Sequence, residues 1–401
     1  MVNETIAPGY KQTEIGIIPE DWNAKSIGED IDLLTGFPFP SSKYSASGIK
    51  LLRGSNIKRG KTDWEEDITQ YWEKVTFDLQ KYVLDEGDIV IAMDGSLVGR
   101  SFARLSKKDL PALLLQRVAR IRSKKIDMNY LKEWICSEKF TKHCDSVKTV
   151  TAIPHISPHD IRSFIILIPP TKEEQAAIAQ VLSDTDSLIE SLDELIEKKK
   201  NIKQGTMQQL LTGKKRLPGF SGDWEEKIFS DILELNKGVQ LNRSNLTEKG
   251  EYPAWNGGIE PSGYTHKWNT NADTITISEG GNSCGFVNYC TTKFWCGGHC
   301  YALRILNDSI SKLYLFHLLK FNEPNIMALR IGSGLPNIQK KNLYEFRLLI
   351  PQTKEEQSAI AQVLSNMDSE IERLEQKRDK YKGLKIGMMQ KLLTGRIRLK
   401  C

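Results

Sequence analysis

The sequence predicts an α+β fold: two mixed α/β heads separated by two long helices that pair as an antiparallel coiled coil, in a pseudo-two-fold internal repeat. Three observations carry that expectation. The stretch Ile168–Leu217 returns without a gap as Ile350–Leu399, with roughly three positions in five identical, a level that only duplication explains. Within each copy, apolar residues recur at three- and four-residue steps over more than three heptads. Outside the copies, alternating runs lead into glycine: Asp88-Ile89-Val90-Ile91-Ala92 into Gly95, and Asp273-Thr274-Ile275-Thr276-Ile277 into Gly280. Both read as strands ending in turns.

Each repeated segment carries helix punctuation. Thr171 with Glu174, and Thr353 with Glu356, fit a capping box, in which hydroxyl and carboxylate each satisfy an orphan backbone N–H. Pro170 and Pro351 discourage helix on the N-terminal side, and Leu-Leu-Thr-Gly closes each copy with Gly213 and Gly395 at the expected left-handed position. About 40 residues lie between these signals, or about 60 Å of helix. The expected seam is Ile178, Val181, Leu188, Leu192, Leu195 and Ile202 against Ile360, Val363, Met367, Ile371, Leu374, Tyr381 and Leu384. Both copies run from acidic (Asp184, Asp186, Glu190; Glu370, Glu372) to basic (Lys198, Lys199, Lys200, Lys203; Lys377, Lys380, Lys385). Antiparallel pairing sets acid against base, whereas parallel pairing would set like charges side by side.

The repeat continues weakly into the heads. Asp21-Trp22 has a counterpart in Asp223-Trp224, and Ile153-Pro154-His155-Ile156 in Leu335-Pro336-Asn337-Ile338. The heads therefore share one scaffold, while their loops look unlike each other, as two related surfaces for two targets would. The loops suit a polyanion. The first head has Arg53-Gly54-Ser55-Asn56-Ile57-Lys58-Arg59-Gly60-Lys61; the second has Trp255-Asn256-Gly257-Gly258 and His266-Lys267-Trp268-Asn269. Arg and Lys reach phosphate or guanine, and Asn or Gln pairs with adenine.

Composition bounds the rest. The chain has 401 residues, 39% hydrophobic and 27% charged, with a net charge of +5, which is compatible with nucleic acid without requiring it. It has no apolar run of membrane-spanning length and no secretory signal. Seven irregularly spaced cysteines point to a reduced cytoplasmic protein. Cys284, Cys290, Cys296 and Cys300 lack paired Cys-x-x-Cys knuckles and read as buried thiols, so no metal ligand set is expected. Leu211-Thr212-Gly213-Lys214-Lys215 is not a phosphate loop, because the first glycine and the hydroxyl residue are missing. Ile168-Pro169-Pro170-Thr171 starts a helix and is no methyltransferase motif. No catalytic residue is expected.

The doubled Ile-Pro-x-Thr-Lys-Glu-Glu-Gln-x-Ala-Ile-Ala-Gln-Val-Leu segment, the two Leu-Leu-Thr-Gly ends and the two Asp-Trp head starts resemble the DNA-specificity subunit of type I restriction-modification systems. The resemblance implies an N-terminal segment (1–21), a first target-recognition domain (22–167), a central helical region (168–217), a second target-recognition domain (218–349) and a C-terminal helical region (350–401). Each recognition domain would read one half of a bipartite, asymmetric site in double-stranded DNA, the first half falling to the N-terminal head. The coil would set the spacing. The chain would anchor two methyltransferase subunits, which use S-adenosylmethionine, and ATP- and Mg-dependent motor-nuclease subunits, with no cofactor of its own. The N-terminal segment would pack near the C-terminus to complete the pseudo-symmetry. The expected DNA contacts are Arg53, Asn56, Lys58, Arg59, Arg100 and Gln116 in the first head, and Asn256, His266, Lys267, Asn282 and Asn337 in the second. The competing reading is a coiled-coil scaffold joining two protein-binding heads without nucleic acid.

Overall fold

The computed structural model describes residues 6, 8–13, 15–332, 334 and 336–399; Met1–Thr5 of the N-terminal segment and Leu335 of the repeated motif lie outside them. In chain order the helices used below are α1 (Met128–Ile135), α2 (Glu138–Val147), α3 (Lys172–Leu210), α4 (Lys312–Phe321) and α5 (Lys354–Leu392). The chain forms two compact units, Met1–Ser191 with Arg378–Cys401, and Leu192–Lys377. Each unit takes one head together with a share of both long helices.

In the first unit, a four-stranded antiparallel sheet orders Asp32–Thr35, Val118–Arg122, Ile89–Ala92 and Phe102–Arg104. A smaller sheet sets Ile49–Leu52 between Gln70–Trp72 and Ala112–Leu114. Asn23–Ser26 pairs with Ile165–Ile168, closing the head where α3 begins. The core joins Trp22, Tyr130, Trp134 and Phe140 to Ile178 and Leu182 of α3 and to Leu392 and Leu393.

The second unit repeats this topology. Its four-stranded sheet orders Leu233–Lys237, Cys300–Ile305, Thr274–Ser278 and Val287–Cys290. The smaller sheet sets Tyr252–Trp255 between Tyr264–Thr265 and Trp295–Cys296, and Trp224–Ile228 pairs with Arg347–Pro351. Its core joins Phe229, Tyr314 and Leu315 to Met207, Leu210, Ile360 and Leu364.

The two long helices pack antiparallel, acid on base. In the first unit Lys385 of α5 reaches Asp186 of α3 at 2.5 Å, with Lys132 of α1 at 3.0 Å from the same carboxylate. In the second unit Lys199 meets Glu370 and Lys200 meets Glu375, each at 2.7 Å, and Lys203 pairs with Asp368. Asp186–Lys385 and Lys203–Asp368 are the same pair under the repeat.

The seam is narrower than the apolar pattern suggests. Ile178, Leu192, Ile360 and Ile371 are buried as expected. Leu188, Leu195, Ile202 and Leu384 are 36%, 38%, 45% and 52% exposed. The buried face of α3 runs through Ile178, Leu182, Leu192, Ile196, Met207 and Leu210, of which Ile178, Leu182, Met207 and Leu210 pack into the cores of the units. Leu188, Leu195 and Ile202 each precede Ile189, Ile196 and Lys203 by one residue, which turns them about 100° away from that face.

The helix starts also depart from a plain capping box. Thr171 Oγ1 accepts from Glu174 N (3.2 Å), and Thr353 Oγ1 from Glu356 N (3.4 Å). The carboxylates turn elsewhere: Arg398 grips Glu174 in two bonds of 2.9 and 2.8 Å, and Arg216 grips Glu356 in two of 2.6 and 2.7 Å. A forked, charge-assisted pair outcompetes a single backbone N–H. Beside each, a buried glutamine ties helix to head. Gln175 Oε1 accepts from Asp127 N (2.9 Å) and its amide donates to Pro169 O; Gln357 Oε1 accepts from Ser311 N (2.8 Å) and its amide donates to Pro351 O. Gly213 (φ 70°) and Gly395 (φ 67°) lie against the rings of Trp224 and Trp22, which accounts for the two Asp-Trp head starts. Tyr10 OH donates to Gly395 O (3.3 Å), and Arg398 also binds Asp21 at 3.0 Å.

Two outcomes follow. Gln357→Ala strands a buried backbone N–H and a carbonyl and lowers the stability of the second unit by about 2 kcal/mol, read as a shifted urea midpoint. His317 of α4 is buried, with Nε2 3.0 Å from Ser365 Oγ and Asp368 3.9 Å away; burial pushes its pKa down to about 4, against the pull of Asp368. The unfolded chain therefore binds the extra proton first. Stability contributed by neutral His317 is present above about pH 6.5 and is lost as pH falls toward 4, and His317→Gln flattens this dependence in urea titrations between those limits.

Candidate nucleic-acid interface

In each unit a turn follows the central strand of the four-stranded sheet, and three backbone bonds fix it. In the first unit these are Met93 N to Arg117 O (2.9 Å), Ile156 N to Met93 O (2.9 Å) and Gly95 N to Pro154 O (3.0 Å). In the second they recur as Glu279 N to His299 O (2.9 Å), Ile338 N to Glu279 O (2.8 Å) and Gly281 N to Pro336 O (2.9 Å). One scaffold thus gathers three loops at one edge of each head.

The side chains on those loops differ. In the first unit, Arg117 sits at φ 66° and donates to Asp94 Oδ2 (3.0 Å), with Gln116 exposed beside it. The turn Arg53–Asn56 lies alongside, since a Cβ built on Gly54 would come 3.7 Å from Asp94. In the second unit, Asn282 and Asn337 are exposed and share the edge through the Gly280–Asn337 bridge. Ser278 and Ser283 donate to Gly257 O at 2.6 and 2.5 Å and so bring the Asn256 loop to the same place. Glu279 collects Lys237 Nζ (2.6 Å) and Tyr301 OH (2.8 Å), and His299 is exposed above it.

Several expected contacts have other duties. Asn56 is fully buried: Oδ1 accepts from Arg53 N (3.1 Å) and Nδ2 donates to Asp63 O (3.0 Å), so it builds the turn and cannot meet a base edge. Arg53 is half-buried on that turn, and Lys58 lies 3.6 Å from Asp63. Arg100 is clamped by Asp145 of α2 at 3.1 and 2.7 Å; with Lys148 it holds the Asp145 carboxyl down to about 2. Asn256 Oδ1 accepts from His299 N (3.2 Å), shaping the Gly297–His299 turn. Arg59 is exposed and lines, with Lys61, Lys139, Lys142 and Lys385, an open groove of about 1030 Å³ in the first unit. His266 and Lys267 are exposed just past Tyr264–Thr265, on the smaller sheet. Arg117 and His299 escaped the sequence reading; an Arg or His after a short strand carries no signal that it faces a shared edge.

The cysteines separate. Cys290, Cys296 and Cys300 pack with Phe294, whereas Cys284 belongs to the main core of its unit and donates to Glu279 O. Burial pushes the Cys290 thiol up to about 12, which suits a packed thiol and not a reactive one.

Asn56→Ala removes two buried hydrogen bonds. It lowers the stability of the first unit by about 2 kcal/mol in urea unfolding while leaving the exposed edge chemistry in place.

Comparison with known proteins accords with this duplicated design. The family described as type I restriction modification DNA specificity domain matches residues 19–203 and 221–380. The MjaVIII type I restriction enzyme specificity subunit of Methanocaldococcus jannaschii is 35% identical over 52% of this chain and 49% of its own length. The EcoAI specificity subunit of Escherichia coli is 31% identical over 44% of this chain and 30% of its own. The aligned stretches thus span about half or less of these two relatives. A presumed specificity subunit of M. jannaschii, MjaX, is 28% identical over 98% of this chain and 97% of its own. The solved S subunit of a type I restriction-modification system from M. genitalium shares the fold, with TM-score 0.67, 20% identity, and coverage of 93% of this chain and 96% of that one. Two matches that together take in both heads and most of both long helices place the chain in one family: it belongs to the type I restriction-modification DNA specificity family.

Proposed function

We propose that this chain is the non-catalytic DNA-reading subunit of a type I restriction-modification complex. Each head reads one half of a bipartite, asymmetric site, the first half falling to the first head. The long helices set the spacing, and the chain anchors two methyltransferase subunits together with motor-nuclease subunits. S-adenosylmethionine, ATP and Mg belong to those partners. The complex works in the cytoplasm.

One observation carries this reading. The same three backbone bonds build the same edge in both units, yet the groups presented are Gln116 and Arg117 in one and Asn282, His299 and Asn337 in the other. A repeated scaffold with unlike hydrogen-bonding groups is what two different half-sites require. Membership of the specificity family supports the polymer as DNA. Exposed lysines and arginines such as Arg59 and Lys61 suit phosphate contact, so binding should weaken steeply with salt.

The test is a long-read map of methylated adenines in cells expressing this chain with its methyltransferase. A new two-part motif is the expected result, and an unchanged map beside an active, bound methyltransferase overturns the reading. Gln116→Ala with Arg117→Ala should relax bases of the first half-site only, and Asn282→Ala with Asn337→Ala those of the second only. Each base affected should lose about tenfold in discrimination.

A further inference from the structure

The hairpin Thr149–His155 of the first unit has a composition that base reading leaves unexplained. Val150 is 102% exposed, Ile153 is 62% exposed, and Leu97, on the turn bonded to the same hairpin, is 58% exposed. These three aliphatic side chains, on two loops joined by the Gly95 N–Pro154 O bond, are left uncovered by the unit.

Hydrogen bonds also close the hairpin on itself. Thr149 N donates to His155 O (3.0 Å), His155 N to Thr149 Oγ1 (3.0 Å) and Thr151 Oγ1 to Ile153 O (2.7 Å). Gly95 N and Ile156 N tie its far side to the sheet turn. The three bonds within the hairpin survive the removal of water and so add nothing to the cost of entering an apolar space. Val and Ile have few rotamers to lose, and Pro154 fixes its own φ. The tip also stands at the reading edge, because His155 bridges Asp94, the partner of Arg117.

We propose that Val150 and Ile153, with Leu97 beside them, form a wedge that enters an opened base step of the first half-site. This rests on the DNA-reading role above. A base that is to be methylated must leave the stack, and the vacated step exposes base faces that aliphatic side chains cover better than water does. The wedge holds that step open while Gln116 and Arg117 read its neighbours.

The test uses the whole methyltransferase complex and duplexes carrying the mapped site, with 2-aminopurine at the target adenine of the first half-site or at either neighbour. The wild-type complex should raise the fluorescence severalfold. Val150→Ser with Ile153→Ser should bind within about tenfold of wild type, give less than half the rise, and slow methylation of the first half-site relative to the second. Val150→Leu with Ile153→Leu should restore both signals. Should the double serine variant melt early, Val150→Ser alone is read, since a fully exposed position tolerates serine. An undiminished rise with unchanged methylation overturns the wedge, and so does loss of methyltransferase co-purification with DNA opening intact, which would make the hairpin a protein contact. A wild-type complex without sequence preference overturns the specificity role itself, a result distinct from either.

Discussion

Everything in each unit depends on a carboxylate and an amide buried together at the start of a long helix. Glu174 and Gln175 lie where three stretches far apart in sequence meet: the helix start, the beginning of α1 through Asp127, and the chain after α5 through Arg398. Glu356 and Gln357 gather the helix start, the beginning of α4 through Ser311, and Arg216 in the same way. Apolar packing alone is tolerant of sliding. A forked guanidinium–carboxylate pair beside a two-way amide is not, because Glu174 or Glu356 left unmatched would be a buried carboxylate without a partner. The head is therefore keyed to the helix at one register.

Much of this was legible from sequence, and the failures have physical reasons. The long helices, their ends at Gly213 and Gly395 and their antiparallel sense emerge from a gapless repeat with a charge gradient. Four of the thirteen expected seam residues are exposed, because the helices have more apolar residues than one seam can bury; Leu188 and Leu195 fit the period as well as Ile196 does. The second function of Glu174 and Glu356 was hidden because their partners lie more than a hundred residues away. In the heads, Asn56 sits in a Gly- and Arg-rich run that suits DNA contact and turn building equally, and only its burial decides. Arg117 and His299 were missed because their placement depends on strand pairing that no local pattern encodes.

The heads separate folding from recognition cleanly. Backbone bonds build the shared edge, with glycine at its positive-φ positions 95 and 281. The groups that face outward from it are then free to change without disturbing the turn. Asp94 and Gly280 occupy corresponding places: Asp94 holds Arg117, and Gly280 bridges Asn337. A scaffold bonded through its main chain tolerates such divergence, which is why the loops look unrelated while the topology is the same.

The first unit is assembled from two stretches that the whole of the second unit separates in the chain. Leu392 and Leu393 complete a core begun by Trp22, Ile178 and Leu182, and Arg398 supplies the last partner of Glu174. The second unit, drawn from one continuous stretch, has all its pieces some way earlier. During synthesis the first unit therefore waits with an uncovered apolar strip on α3 while the second unit forms. Closure of the first unit thus follows delivery of α5, and chains lacking α5 would present that strip to chaperones or proteases.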